Sequence, residues 1–267
     1  MQKKLEEQLQ TRWMGKKLFY REQTESTITW SKEAARNGCK KDLNGAVFLA
    51  EAQTGGKGRI GRVWNSPPRE NIYMNLLLME PEIAPQNAAS LTLVMGLSVA
   101  QAVIEITGKP VGIKWPNDVV MSGKKICGIL TEMQVSGAMP KYITIGVGIN
   151  VNQTEFPEEL QDKATSLMLE RGQILKREEV AAKTLEYFEK NYERFLQTQD
   201  LSLLKPEYEA LLLNQNQPVR LIEKGMESRG IARGITEKGE LLVEFETGEV
   251  KKILSGEVSV RGLYSYV

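Results

Sequence analysis

The chain has 267 residues, no histidine, and 35 Lys plus Arg against 34 Asp plus Glu, for a net charge of +1. That length accommodates one large domain and one small one, and the balanced charge gives no sign of an obligate nucleic-acid protein. The absence of histidine excludes Ser-His-Asp and Cys-His catalysis and any histidine-ligated metal.

In chain order, residues 17–22 read as a strand. Residues 27–37 read as a helix stopped by Gly38. Ala46 to Ala50 is an apolar strand after the turn pair Asn44-Gly45, and residues 71–79 form a second, strongly apolar one. Residues 87–107 are apolar on all sides and predict a central buried helix, which Gly108 and Pro110 end. Residues 125–135 and 142–152 predict a hairpin turning at Ser136-Gly137. Residues 177–197 form an amphipathic helix, and residues 201–213 another with Pro206 in its first turn. The tail changes character. Residues 219–222, 229–235, 241–246, 251–254 and 258–261 are short strands with turns at Lys238-Gly239 and Thr247-Gly248, a small β-barrel beginning near 214–217. Cys39 and Cys127 lack a metal or redox spacing. No apolar run reaches transmembrane length and the polar start is no signal peptide, so the expected location is a reducing cytoplasm, with no membrane partner.

Between Gln53 and Arg62 stand four glycines, one lysine and two arginines. Glycine lets a ligand approach backbone N–H groups, and arginine offers a planar fork of donors to phosphate or carboxylate oxygens. Gly56-Lys57-Gly58-Arg59-Ile60-Gly61 spells a dinucleotide fingerprint, but that motif must open a helix. Val63-Trp64-Asn65-Ser66-Pro67-Pro68 follows instead, which is loop. A phosphate-binding P-loop fails too, since no Gly-Lys here precedes Ser or Thr. On local grounds alone the stretch also fits a solvated surface loop.

A second stretch, Lys114-Trp115-Pro116-Asn117-Asp118, follows the strand-like Val111-Gly112-Ile113. Pro-Asn-Asp reads as a turn. Val119-Val120-Met121, the turn Ser122-Gly123 and residues 124–132 then make a hairpin with lysines at the start of its return strand. Taken alone, Lys125 is equally an edge-strand lysine in solvent.

Together, GKGRIGR, KWPND, KICGILTE and the strand Ile145-Gly146-Val147-Gly148-Ile149-Asn150-Val151-Asn152, in that order, resemble the hallmark sequences of the biotin protein ligases. The resemblance runs from about Leu18 to the C-terminus. Lys57 stands where that family usually has arginine. Glu25-Ser26-Thr27-Ile28 stands where an acidic residue, Ser, Thr and Asn are usual, so Ile28 removes one polar contact from the biotin end of the site. The resemblance implies an α/β (α+β) fold with a mixed β-sheet like class II aminoacyl-tRNA synthetases over residues 1–215, and an SH3-like β-barrel over 216–267. It implies a ligase that joins biotin to ATP as biotinyl-5′-AMP, with Mg²⁺, and transfers it to a lysine of a biotin carboxyl carrier protein. Such chemistry needs no histidine, because positioning and preorganised cations supply most of the catalysis.

By the same resemblance Ser26, Thr27 and Gln53 bind the ureido ring of biotin. Lys57, Gly58 and Arg59 wrap the activated carboxyl and phosphates. Lys125 holds the biotin carboxylate and α-phosphate together, so Arg59 and Lys125 are the catalytic candidates. Gly56, Arg62, Asn117, Asp118 and Asn150 serve the nucleotide, with Asp118 also a candidate Mg²⁺ ligand. Trp64 is read equally as a wall of the site or a core tryptophan. Lipoate ligases resemble the family in fold and are the nearer rival. A biotin-sensing repressor is the other, but only about twenty residues precede the first strand, below the ~40 that fold unaided. DNA binding is therefore not expected, while homodimerisation is left open.

Overall fold

Short apolar runs closed by turn residues generate the main sheet, and the helices between them generate its two covers. A computed structural model of the chain describes residues 1–37, 40–223, 226–255 and 259–262. Seven strands form a mixed sheet: β1 (Leu18–Thr24), β2 (Ala46–Gln53), β3 (Ile72–Met79), β4 (Gly112–Lys114), β5 (Asp118–Met121), β6 (Lys124–Ser136) and β7 (Met139–Ile149), in spatial order β1-β2-β3-β7-β6-β5-β4. Of these neighbours only β1 and β2 are parallel, and their crossover contains a helix, as a parallel pair requires.

Every residue of β3 is buried, which fits a central strand covered on both faces. One face carries α3 (Ser90–Thr107) and α5 (Arg177–Thr198), with α1 (Gln2–Gln8) packed on α5. The other face carries α2 (Thr27–Asn37), whose Ala35 joins Phe48, Leu77 and Tyr142 in a smaller core. Fourteen of the eighteen α3 residues are buried. By length and composition residues 85–107 would cross a membrane, contrary to the expectation that no run reaches that length; burial against the sheet marks them as a core helix. Gly108 ends α3 in the left-handed region, as expected.

Three local expectations are corrected. The second amphipathic helix, expected over 201–213, is only α6 (Lys205–Ala210). Leu211 to Leu213 leave it because their backbone pairs with the exposed edge of β4: Ile113 N–H donates to Leu211 O at 2.7 Å and Leu213 N–H to Ile113 O at 2.9 Å. Two short helices also arise where none was expected. These are α1 and α4 (Leu167–Arg171), the latter N-capped by Ser166 Oγ, which accepts from Leu169 N–H at 3.2 Å. The stop at Gly38 and the strand start at Val258 lie outside the described residues.

A five-stranded antiparallel sheet follows: β8 (Pro218–Glu223), β9 (Met226–Ile235), β10 (Leu241–Glu244), β11 (Val250–Ile253) and β12 (Ser259–Gly262), in order β11-β10-β9-β8-β12. It docks through the turn between β9 and β10. Trp115 Nε1–H donates to Gly239 O at 2.9 Å, Ser90 Oγ–H to Lys238 O at 2.9 Å, and Leu201 N–H to Glu237 O at 2.7 Å. Gly239 sits at φ +80°, and a Cβ there would lie 2.9 Å from Leu93, so the turn and the close approach both demand glycine.

The segment before β1 is anchored by one carboxylate. Glu189 of α5 accepts the N–H groups of Arg12, Trp13 and Met14 at 2.7, 2.9 and 2.8 Å. Burial pushes its pKa up, but those three donors and Arg12 outweigh burial and hold it below the ordinary value. A depressed folded pKa contributes stability above the unfolded value, about 4.3, and loses it as pH falls through the folded one. Glu189→Ala should therefore cost about 3 kcal/mol at pH 7. The gap between urea titrations of the two proteins should narrow as pH falls below the unfolded value, about 4.3; a gap that stays constant with pH would assign the loss to packing.

Candidate active site

Gln53, the last residue of β2, meets the first turn of α2. Thr27 N–H and Oγ1–H donate to Gln53 Oε1 at 2.9 and 3.2 Å, and Gln53 Nε2–H donates to Ser66 Oγ at 3.0 Å. Between Gln53 and Ser66 the glycine-rich stretch folds back on itself. Gly58 N–H donates to Arg62 O at 2.7 Å and Trp64 N–H to Gly56 O at 2.9 Å. A helical turn of Arg59–Gly61, with Ile60 at φ +56°, makes the reversal, and no helix follows, as expected. Lys57 Nζ then donates to Thr29 Oγ1 on α2 at 2.9 Å, so the loop is strapped to α2 over the sheet.

Beneath the strap the sheet has a glycine floor. Gly128 of β6 lies opposite Gly148 of β7, and Leu130 opposite Gly146. The Trp64 indole rests on two of them: a Cβ on Gly148 would sit 2.4 Å from its Cε2, and one on Gly128 2.6 Å from its Cζ3. Ile28 occupies the space above Gly146 in the same way, at 2.6 Å. Missing Cβ atoms let flat groups lie directly on the strands. The Trp64 Nε1–H is buried and has no partner among the described residues.

Besides Lys57 on the strap, two more cations enter this cleft. In the pairing of β5 with β6, Val119 faces Cys127 and Val120 faces Lys125, so Ile126 is an extra residue. This β-bulge shifts the alternation of side chains. Counting back from Gly128 without it, Lys124 and not Lys125 would share the floor's face. With it, Lys125 Nζ lies 3.0 Å from the position of a Gly128 Cβ and 5.2 Å from the centre of the Trp64 ring. Lys124 points elsewhere and donates to Gln161 O at 2.8 Å. Lys125 pairs with Asp118 at 2.5 Å. Asn117 Nδ2–H donates to Asp118 Oδ1 at 3.0 Å, and Arg59 Nη1–H donates to Asn117 Oδ1 at 2.7 Å. The other Arg59 nitrogen donates to Ser255 O, beyond the end of β11. Burial draws the Arg59 guanidinium below its ordinary value, opposed by Asp118 and reinforced by Arg62; it stays charged at neutral pH.

Of the residues singled out in the sequence, Thr27, Gln53, Lys57, Gly58, Arg59, Asn117 and Lys125 line this one cleft. Gly56 is packed behind it against Trp64 O and Ser66 Oγ. Ser26 is buried below the first turn of α2, where its Oγ accepts Ile28 N–H at 3.3 Å. Asp118 stands beside Lys125. Arg62 is exposed on the strap. Asn150 is buried, donating Nδ2–H to Thr165 O at 3.1 Å. Sequence reasoning missed the floor glycines as site residues. Their signal was present, since glycine inside an apolar strand marks a close approach. It missed Ser66 altogether.

A cleft with amide and hydroxyl groups, a flat-bottomed floor and cationic side chains suits an anionic ligand that also carries polar groups to be paired. Similarity to known proteins makes this particular. The model of the biotin/lipoate A/B protein ligase family matches residues 20–150, and that of the biotin protein ligase C-terminal domain matches 216–261. The chain is 37% identical over 254 residues to the bifunctional ligase/repressor BirA of Bacillus subtilis, covering 94% of this chain and 76% of that protein. It is 33% identical over 229 residues to the biotin–[acetyl-CoA-carboxylase] ligase of Mycobacterium tuberculosis, covering 84% and 82%. It superposes on the biotin protein ligase of Aquifex aeolicus, solved in complex with biotin and ATP, with a TM-score of 0.78 at 36% identity, covering 92% and 99%. The chain belongs to the biotin/lipoate A/B protein ligase family, among its biotin protein ligases.

The seat of Trp64 is testable. Gly148→Ala places a methyl where the indole lies, and overpacking of this kind costs about 1–3 kcal/mol. The variant should fold but shift the tryptophan emission. In a Trp64→Phe background the same substitution should leave emission unchanged; a shift there would mean that another tryptophan reports it.

Proposed function

We propose that the chain activates biotin with ATP and transfers it to a lysine of a biotin carboxyl carrier protein or domain. In the first step the biotin carboxylate oxygen attacks the α-phosphorus and pyrophosphate leaves, giving biotinyl-5′-AMP. In the second the lysine nitrogen attacks the acyl carbon, loses a proton, and AMP leaves. The observation that carries this reading is the meeting of the Thr27–Gln53 pair with Arg59 and Lys125 in one cleft. A cyclic urea presents N–H donors and a carbonyl acceptor, and such groups need polar partners when buried. A dithiolane ring presents none, so the pair favours biotin over lipoate.

Ser26 closes the ureido end from below, and Lys57 and Gly58 of the strap cover the carboxyl. Arg59 and Lys125 bear the charge that builds as two anions approach. Trp64 serves as a flat wall with a free N–H donor. Asn117 orients Arg59 and, with Asp118, fixes Lys125. Gly56 lets the strap approach. Arg62 and Asn150 stay with the nucleotide by resemblance, Arg62 from the rim and Asn150 from below. Mg²⁺ arrives as part of the ATP complex. Asp118, expected from the sequence as a ligand of that ion, receives Lys125 and Asn117 on one oxygen, Oδ1, and no three metal-binding side chains cluster among the described residues. The partner is a biotin carboxyl carrier protein or domain, which presents the acceptor lysine. A cytoplasmic setting suits both substrates.

Mass spectrometry of a carrier domain incubated with the chain, ATP, Mg²⁺ and biotin should show one added biotinyl group. No transfer, or a faster transfer of lipoyl when lipoate replaces biotin, would sink the reading. A sharper test separates the neighbouring lysines. Like charges at about 4 Å repel by ~4 kcal/mol at an intermediate dielectric, and a cation between them acts on the chemical step. Lys125→Ala should slow adenylate formation about a hundredfold, ~2.7 kcal/mol on the barrier. Lys124→Ala should be nearly silent. Single-turnover pyrophosphate release at saturating substrates decides it; a larger defect in the Lys124 variant would mean the bulge does not set the active amine.

A further inference from the structure

The half-buried hydroxyl of Ser66 has only one proton, and its bonds assign that proton. Trp64 O lies 3.0 Å away and can only accept, so Ser66 Oγ–H donates to it. The remaining lone pairs of Oγ can therefore only accept, and Gln53 Nε2–H fills that role at 3.0 Å. At the other end of the same amide, Thr27 N–H is a fixed donor facing Gln53 Oε1 at 2.9 Å. The Gln53 amide is thus locked from both ends. Rotated by half a turn, it would set a donor against Thr27 N–H and an acceptor against an oxygen whose proton is already committed.

We infer that Ser66 is a positioning residue for biotin, acting through Gln53: it fixes which face of the Gln53 amide accepts and which donates, and so presents the Thr27–Gln53 pair in the polarity a cyclic urea requires. This rests on the reading of Thr27 and Gln53 as ureido ligands. Gly56 is part of the same lock. A Cβ there would lie 2.5 Å from Trp64 O, 2.8 Å from Ser66 Oγ and 3.0 Å from Gln53 Nε2, so the strap can seat Ser66 against Gln53 only with glycine at this position. The hydrogen bonds also run without a break from Thr27 on α2 through Gln53 and Ser66 to the backbone of Trp64. The ureido end and the indole wall thereby share one set of donors and acceptors.

Steady-state pyrophosphate release, varied separately in biotin and ATP, tests this. Ser66→Ala leaves the amide free to turn, so KM for biotin should rise about tenfold, ~1.4 kcal/mol, with KM for ATP and kcat changed less than twofold. Ser66→Thr keeps the hydroxyl and should restore KM. In a Gln53→Ala background Ser66→Ala should add nothing, because residues that act through one another are non-additive. An equal rise in both KM values, or a full additive effect in that background, would make Ser66 a packing residue and overturn the inference. A silent Ser66→Ala beside a defective Gln53→Ala would overturn it alone. A silent Gln53→Ala would overturn the ureido reading beneath it, and the inference with it.

Discussion

The ion pair of Asp118 with Lys125, at 2.5 Å, is the contact on which the cleft depends. Two cations cannot share a small, partly dry space unless an anion or its equivalent stands with them. Asp118 supplies that charge, and Asn117 extends it to Arg59. Both come from the turn and first strand residue after Trp115, whose indole is fixed by the turn between β9 and β10. The second sheet therefore does more than add mass. It holds Trp115 on one side and the Arg59 guanidinium on the other, so the position of the site's two charged groups is tied to how that sheet docks.

The rest of the cleft follows from subtraction. Strands ordinarily present side chains to whatever lies above them, and three glycines remove those side chains over a patch of β6 and β7. Ile28 and Trp64 settle into the gap. The indole N–H of Trp64 is a buried donor with no acceptor among the described residues, and a buried donor left unpaired costs stability. The strap above gains its shape from its own backbone bonds and its attachment from Lys57 and Ser66. A loop so tied needs little ordering when substrate arrives, which limits the entropy lost on binding.

Much of this was legible in the sequence, for definite reasons. Helices such as residues 27–37 and 90–107 carry strong periodicity or uniform hydrophobicity, and turn residues delimit the strands. The charged and glycine-rich stretches located the cleft because such composition has few other uses. What escaped had weaker local signals. Leu211 to Leu213 look helical, and only the unpaired edge of β4 recruits them. Ser66 reads as one more loop residue; its role exists only because Gln53, thirteen positions earlier in the chain, ends a strand beside it. Asn150 and Arg62 lie off the wall of this cleft, the one buried and the other exposed on the strap, a difference that their motifs do not record.

The extra residue at Ile126 carries a consequence for reading related sequences. Adjacent lysines look interchangeable to any alignment scored by residue type, and a gap slid by one column leaves the score almost untouched. Yet flattening this bend with every residue kept would hand the cleft to the other amine and turn the present one outward, whereas deleting the extra residue would leave the present one in place. Homologues that differ by one insertion or deletion between the Ser122-Gly123 turn and Gly128 should therefore be matched by strand register, counted back from the glycine, before an amine is named as equivalent.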